Sequence, residues 1–271
     1  MKAPNFLVAW NKRYDVNYDI NPWMTDNIKL VNNQKAYQQW LNLVKILKDL
    51  GANVSQMSVD NENIPDIVFT ANAGFIYNNV LTLSSFKYLQ RQYEIPYFRN
   101  WFLTNTKTQV NVILETFEGA GDALIDHQGN LWMGHGFRST LESHWRLQVI
   151  YTALNVLSLE LMNPEFYHLD TCFCPLSSGH VLYYPDAFSS HDELKILEVF
   201  GEKAIQVSLE DASNFACNVV EWDGNLVMNK CSPLLNYELE KIGYNVVETD
   251  LTEFLKAGGS AKCLTLKLTG F

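Results

Sequence analysis

The sequence contains no apolar run approaching the ~18 residues that a membrane-spanning helix needs, no glycine-rich phosphate loop and no dinucleotide fingerprint. A membrane span and an organic cofactor are therefore not expected. Basic residues are scarce, 20 Lys and Arg against 30 Asp and Glu, and the net charge of -10 argues against nucleic acid or an anionic membrane as a partner, since phosphate contacts need clustered Lys and Arg. A cationic ligand is easier to accept. The opening MKAPNFLVAW lacks the long apolar core and small-residue cleavage site of a secretory signal, so the cytoplasm is the expected compartment. The five cysteines, at 172, 174, 217, 231 and 263, are odd in number and scattered, which fits a reduced compartment better than a disulfide framework. Cys172 and Cys174 form a lone C-x-C, read as core packing rather than zinc, and His127, His135, His144, His180 and His191 follow no metal-ligand spacing. No metal is expected.

What is present is an ordinary globular composition, with 47% apolar and 13% aromatic residues over 271 positions, enough to bury a full core. No low-complexity linker or composition break marks a boundary, and one domain spanning 1–271 is expected. Within it a unit recurs. Hairpin patterns follow Asn72 (AGFIYNNVLTL, turn at Asn78 and Asn79), Asp122 (ALIDHQGNLWMG), Asp170 (TCFCPLSSGHVLYYP) and Asn218 (VVEWDGNLVMN, turn at Asp223 and Gly224), and a truncated copy follows Cys263 (LTLKL). The starting positions are 45 to 50 residues apart, and helix-like stretches such as 140–157 and 192–200 fall between hairpins. This predicts an α/β fold: a five-bladed, pseudo-symmetric propeller of ββαβ repeats, with NFLVAW (5–10) closing the ring beside the truncated copy. Each repeat in such a ring buries its face against its neighbours, so Asn72, Asp122, Asp170, Asn218 and Cys263 would converge on a central cleft. Chance hairpin spacing in a mixed α/β chain is the competing reading.

A thiol reacts as thiolate and needs a partner for charge and backbone room for its substrate. Cys263 follows GGSAK, and Gly258 and Gly259 would supply that room. His168 and Asp170 in FYHLDT lie two apart on a predicted strand and would share one face. Glu118 in FEGAGDAL would add a carboxylate, against the alternative of a surface-loop acid. Carboxylates around a thiol favour a planar cation such as guanidinium.

FEGAGD, FYHLDT and GGSAKC, in this order and spacing, resemble the guanidino-group modifying superfamily of the pentein fold, which includes arginine deiminases, dimethylarginine dimethylaminohydrolases, amidinotransferases and arginine dihydrolases. INPWM (20–24), VFTANAG (68–74), FEGAGDAL and GGSAKCLTL are most similar to the arginine dihydrolase branch. The resemblance covers most of the chain. It implies Cys263 as nucleophile, His168 as general acid and base, and Glu118 and Asp170 as carboxylates that grip the guanidinium. It implies Arg138 in GHGFRS as the residue binding the substrate α-carboxylate, with Arg91 in KYLQRQ a weaker candidate that reads equally well as a solvated helix arginine. Asn21 and Asn72 would contact substrate.

The sequence departs from the superfamily twice. Asn72 stands where deiminases and dimethylarginine dimethylaminohydrolases carry an acid, and the common Glu-Gly-Gly-Asp is lengthened by one residue through Glu118 to Asp122, which leaves Asp122 without an assigned task. The resemblance implies hydrolysis of L-arginine through a covalent S-alkylthiouronium, carried on to ornithine. The alternatives are arginine deiminase, dimethylarginine dimethylaminohydrolase, amidinotransferase and a non-catalytic pentein that only binds. A homo-oligomer is left open.

Overall fold

The computed structural model describes residues 3–268, which form five three-stranded sheets. One plan serves all five. An antiparallel hairpin is followed by a helix, and a third strand returns parallel to the hairpin's second strand. The first blade pairs Gly74–Tyr77 with Val80–Leu83 and adds Gln109–Asn111. The second holds Ala123–Ile125, Asn130–His135 and Asn155–Glu160, and the third Phe173–Pro175, Val181–Tyr183 and Ala204–Gln206. The fourth holds Val220–Trp222, Asn225–Met228 and Asn245–Glu248.

The last blade joins the two ends of the chain. Leu266–Lys267 runs antiparallel to Asn5–Asn11, with Phe6 opposite Lys267, and Asn53–Val59 lies parallel to Asn5–Asn11 on its other side. The expected closure by the N-terminal strand, and the ββαβ propeller with it, are present.

Local chemistry explains the plan. Asn78 and Asn79 (φ 47° and 62°) and Asp223 and Gly224 (φ 50° and 74°) are left-handed pairs, the backbone of a two-residue type I′ turn whose twist matches the strands it joins. Parallel return strands need a crossover, and helices Asn33–Asp49, Ile95–Asn105, Leu141–Ile150, Ser190–Phe200 and Pro233–Lys241 supply it. Asn32, Ser189 and Ser232 cap three of them by accepting from the N–H three residues on.

Blades pack through buried aromatics: the Trp132 ring centroid lies 5.1 Å from that of Phe173 and 5.6 Å from that of Phe200, in the next blade. The helical reading of 140–157 overshoots, because the helix ends at Ile150 and residues from Asn155 onward are strand. No glycine or proline interrupts that stretch, so nothing in the apolar pattern marks the change.

At the centre, hydrogen bonds pass from blade to blade in a closed circle. Asn72 Nδ2 donates to the Glu118 carbonyl (3.1 Å), the Leu169 N–H to Asp122 Oδ1 (3.0 Å), and Asn218 Nδ2 to the Asp170 carbonyl (3.0 Å). The Cys263 N–H donates to Asn218 Oδ1 (3.0 Å), and the Ala71 N–H to the Cys263 carbonyl (3.1 Å). All five converging residues thus lie on this ring, although they are not equivalent in register. The carbonyls of Ala73, Asp122 and Cys172 accept from the N–H groups of Ser84, Gly134 and Tyr184, towards the far end of each hairpin's second strand, so Asp122 matches Cys172 and not Asp170. Short 3-10 turns before the hairpins, such as Thr70–Ala73 and Leu169–Thr171, absorb an offset that a spacing of 45 to 50 residues conceals.

Thr70 clamps the seam where the ring closes. Its buried hydroxyl lies 2.9 Å from the Leu7 carbonyl and 3.0 Å from that of Leu264. Thr70→Val keeps the shape and removes the donor, and it is expected to lower the unfolding free energy by about 1–3 kcal/mol in urea denaturation. A change within about 0.5 kcal/mol, as for an ordinary surface substitution, would show that the seam does not need it.

Candidate active site

A pocket at the ring's centre is bounded by Asn21, Asp66, Asn72, Arg91, Arg138 and Cys263, with Gly258 and Gly259 on one wall. The glycines answer a steric demand. Gly258 has φ +80°, and a Cβ there would stand 2.8 Å from the Tyr167 hydroxyl and 3.0 Å from Asn21 Oδ1; at Gly259 it would stand 2.4 Å from the Phe69 ring. Gly121 is equally constrained, since a Cβ would meet Asn72 Nδ2 at 2.4 Å and the His168 ring at 3.3 Å.

Cys263 sits in a turn, and the strand expected after it is shorter than the LTLKL pattern suggests. The Thr265 N–H reaches back to the Lys262 carbonyl and the Leu264 N–H to that of Ser260, which leaves only Leu266–Lys267 as strand. Two neighbours hold its sulfur: Asn218 Nδ2 at 3.1 Å, and the Asp170 carboxylate oxygens at 3.6 and 3.7 Å. Burial raises the thiol pKa well above its ordinary value, and the Asp170 charge raises it further. Burial likewise pushes the Asp170 carboxyl up to about 6, with Lys262 and His168 pulling against it. The pair shares one proton, held as S–H facing a carboxylate.

His168 and Asp170 do not lie on a strand either. The Thr171 N–H and hydroxyl both turn back to the His168 carbonyl, at 3.2 and 2.7 Å, and this 3-10 turn sends the two side chains to different partners. Asp170 faces Cys263, whereas His168 Nε2 lies 2.7 Å from Glu118 Oε2. Glu118 is no surface acid, being fully buried. Its Oε2 also accepts from Arg138 Nη1 (2.9 Å), and its Oε1 from the Lys87 N–H (3.2 Å). Burial alone would raise the Glu118 carboxyl, but the Arg138 charge and His168 outweigh it and hold the group well below the ordinary carboxylate range. Arg138 Nη2 donates to the Ile20 carbonyl (2.9 Å), and its guanidinium lies between the Tyr88 and Tyr167 rings, 4.9 and 4.4 Å from their centroids.

The expected set therefore divides between the pocket wall and a layer behind it. Cys263, Asn72, Asn21, Arg91 and Arg138 line the pocket. Glu118 and His168 lie behind it, joined to it by Arg138, and Asp170, against the Cys263 sulfur, also borders a second cavity shared with Lys262 and Cys174. Asp122 accepts from the Ser139 hydroxyl (2.6 Å) and the Leu169 N–H and does not line the pocket, so its part is structural.

Arg91 is buried rather than solvated. It makes a two-pronged pair with Glu94 (2.8 and 2.9 Å), reaches the Asp66 carbonyl and donates through Nη1 to Asn72 Oδ1 (2.8 Å). That leaves one of its five N–H donors. Asn72 is thereby oriented, with one acceptor and one donor site of its amide still open.

Sequence reasoning missed three residues. Asp66 lines the pocket, buried, and its Oδ1 has no hydrogen-bond partner among the described residues; an acid directly before the apolar IVF was the available signal. Asn218 was placed at the centre by the repeat, yet its grip on the nucleophile's N–H and sulfur was not foreseen. Tyr167 donates to the Gly258 carbonyl (2.7 Å), and its position beside His168 was the only hint. No cluster of three or more His, Cys, Asp or Glu side chains suited to a metal occurs among the described residues, and no helix of theirs is long and apolar enough to cross a membrane.

The Arg91 and Glu94 pair gives a stability test. Glu94→Ala strands a buried guanidinium, and the unfolding free energy is expected to fall by about 3–5 kcal/mol. A loss below about 1 kcal/mol in urea denaturation would mean that Arg91 does not depend on its partner.

Comparison with known proteins places this geometry in context. The family described as eukaryotic N,N dimethylarginine dimethylhydrolase matches residues 11–269. The bifunctional arginine dihydrolase/ornithine cyclodeaminase AgrE of Nostoc is 47% identical over 97% of this chain, which spans only 38% of that protein's length. The dimethylarginine dimethylaminohydrolase of Mycobacterium tuberculosis is 34% identical, covering 94% of this chain and 82% of its own. Among solved structures, the N-terminal domain of the cyanobacterial arginine dihydrolase ArgZ, a cysteine-to-serine mutant bound to substrate, superposes with a TM-score of 0.94 at 44% identity, covering 98% of both chains. The pentein fold and the guanidino-group superfamily expected from the sequence are both supported by these likenesses.

Proposed function

The chain belongs to the dimethylarginine dimethylaminohydrolase family, and on that premise we propose that it is a cysteine-dependent hydrolase of the guanidinium group of L-arginine, carrying the reaction to ornithine. The observation that carries the reading is the Cys263 thiol, buried in a polar pocket between Asn218 and the Asp170 carboxylate. A binding module has no use for a thiol so placed. The identity to dihydrolases of Nostoc and Synechocystis, 47% and 46%, favours ornithine over citrulline as the end product.

The chemistry follows from the charges. A guanidinium entering between Asp170 and Glu118 brings the cation that the thiolate lacks in the free protein, so substrate binding and nucleophile activation coincide. The sulfur bonds to the guanidinium carbon, and the thiol proton, carried by His168, leaves on the departing nitrogen as ammonia. Water then adds to the thiouronium carbon with His168 as base, the carbon–sulfur bond breaks, and citrulline and the thiol are formed. A second hydrolysis at the same carbon yields ornithine, carbon dioxide and another ammonia, so each arginine consumes two waters. At the other end of the substrate Arg138 takes the α-carboxylate, and Asp66, buried beside Arg91 with an oxygen unpaired, takes the α-ammonium.

Asn72 is assigned the second step. Its open donor and acceptor sites suit a neutral ureido group, to which a carboxylate could only accept.

A time course with L-arginine, resolving citrulline, ornithine and ammonia, tests this reading. Two ammonia per ornithine with at most transient citrulline is expected, and Cys263→Ser should slow the reaction by about 10⁴-fold or more. Absence of arginine turnover, or a serine variant of comparable rate, contradicts it. Asn72→Asp should make citrulline accumulate; unchanged ornithine output would remove Asn72 from the second step. Because the Asp170 carboxyl is raised to about 6 and acts as the anion, kcat/KM should fall as pH drops through about 6. A flat profile down to pH 5 would exclude that role.

A further inference from the structure

Two side chains that the proposed function sets at opposite ends of the substrate touch each other in this structure. Arg138 Nη1 lies 2.9 Å from Glu118 Oε2, yet in L-arginine six bonds separate the guanidinium carbon from the carboxylate carbon, roughly 7.5 Å end to end in an extended zigzag of bonds of about 1.5 Å. For Glu118 to take that guanidinium with both oxygens, Arg138 must give up its place on Oε2. Glu118 is also nearly saturated. An ionised carboxylate has about four acceptor sites, and Arg138, His168 and the Lys87 N–H occupy three of them, two on Oε2 alone. A two-pronged grip on a guanidinium needs a free site on each oxygen, which Glu118 lacks while Arg138 stays. A second guanidinium set against the same buried carboxylate would also face Arg138 as a like charge, with little solvent to screen it.

Resting on the proposed function, we infer that Arg138 is a specificity-determining residue: its guanidinium occupies Glu118 in the substrate's place, and the substrate's own carboxylate draws it away. The surroundings suit such a movement. The Arg138 guanidinium carbon lies 4.9 and 4.4 Å from the Tyr88 and Tyr167 ring centroids, so a small shift along these rings keeps cation–π contact with them, and the Tyr167 hydroxyl is fixed to the Gly258 carbonyl at the pocket wall. The second anchor of Arg138 is the Ile20 carbonyl, next to Asn21 of that wall, on the side where an amino-acid end group would sit. Recognition of the carboxylate and release of Glu118 become one event. Guanidines without a carboxylate must expel Arg138 with no anion to receive it, so they are excluded even where their guanidinium would fit.

The coupling can be supplied in two pieces. Decarboxylated arginine (agmatine) is offered to the protein with and without sodium acetate, with sodium chloride as the ionic-strength control, and ammonia release is followed. Wild-type protein should turn agmatine over about a hundredfold or more below L-arginine in kcat/KM, with a saturable, several-fold stimulation by acetate and none by chloride. In Arg138→Gln, arginine turnover should fall steeply while agmatine turnover holds or rises, and acetate should have no effect.

Calorimetric titration of Cys263→Ala, which binds without turnover, provides the second measurement. Acetate should tighten agmatine binding there and fail to do so once Arg138→Gln is added. Arginine turnover with no acetate effect on agmatine, together with equal losses for both guanidines in Arg138→Gln, would overturn the inference and leave the proposed function standing. Neither turnover nor binding of L-arginine would overturn both.

Discussion

Charge buried where five blades meet has almost no water to stabilise it, and that constraint governs the centre of this protein. Each acid there must find a cation, accept enough hydrogen bonds or keep its proton. Glu118 finds Arg138 and His168 and stays ionised, held well below the ordinary carboxylate range after the cost of burial is met. Asp170 has the charges of Lys262 and His168 and the Cys263 thiol to oppose its burial, and these do not suffice: it rises to about 6. Cys263, facing Asp170, is raised further still. The order of these three groups follows from which of them has a cation at hand.

The same constraint makes the free protein's centre a charge-balanced assembly that a substrate must enter by exchange. Arg91 is matched by Glu94 and steers the Asn72 amide, and Arg138 is matched by Glu118. Asp66 keeps one oxygen unpaired. A zwitterionic amino acid bearing a guanidinium carries two cations and one anion, and each has a counterpart among these side chains. A neutral or purely apolar molecule would leave the carboxylates without the added cation, so the pocket's selectivity is electrostatic before it is steric.

Much of this was legible in the sequence. The four hairpins could be read because turn residues, such as Asn-Asn and Asp-Gly, and alternating strands are local signals, and the ring closure followed from a fifth copy lacking its second strand. Cys263, His168, Glu118 and Asp170 could be named because glycine-flanked motifs recurred in a recognisable order. The register of the central positions was not readable, because one-turn 3-10 segments shift it by a residue or two with no compositional mark. The same cause turned His168 and Asp170 toward separate partners where period-two reasoning placed them on one face. The direct contact of Arg138 with Glu118, the burial of Arg91 and the unpaired Asp66 are long-range facts that only the closed ring creates.

The central claim is that Cys263 is protonated in the free protein because it is buried and because a carboxylate faces it there. The most direct test is the rate of Cys263 alkylation by iodoacetamide as a function of pH, in wild-type protein and in Asp170→Asn. The account predicts a rate that keeps rising to well above the ordinary thiol range of about 8.5, with the midpoint moving downward when the Asp170 charge is removed. A midpoint near or below neutrality in the wild type, as for a preformed thiolate, would contradict it.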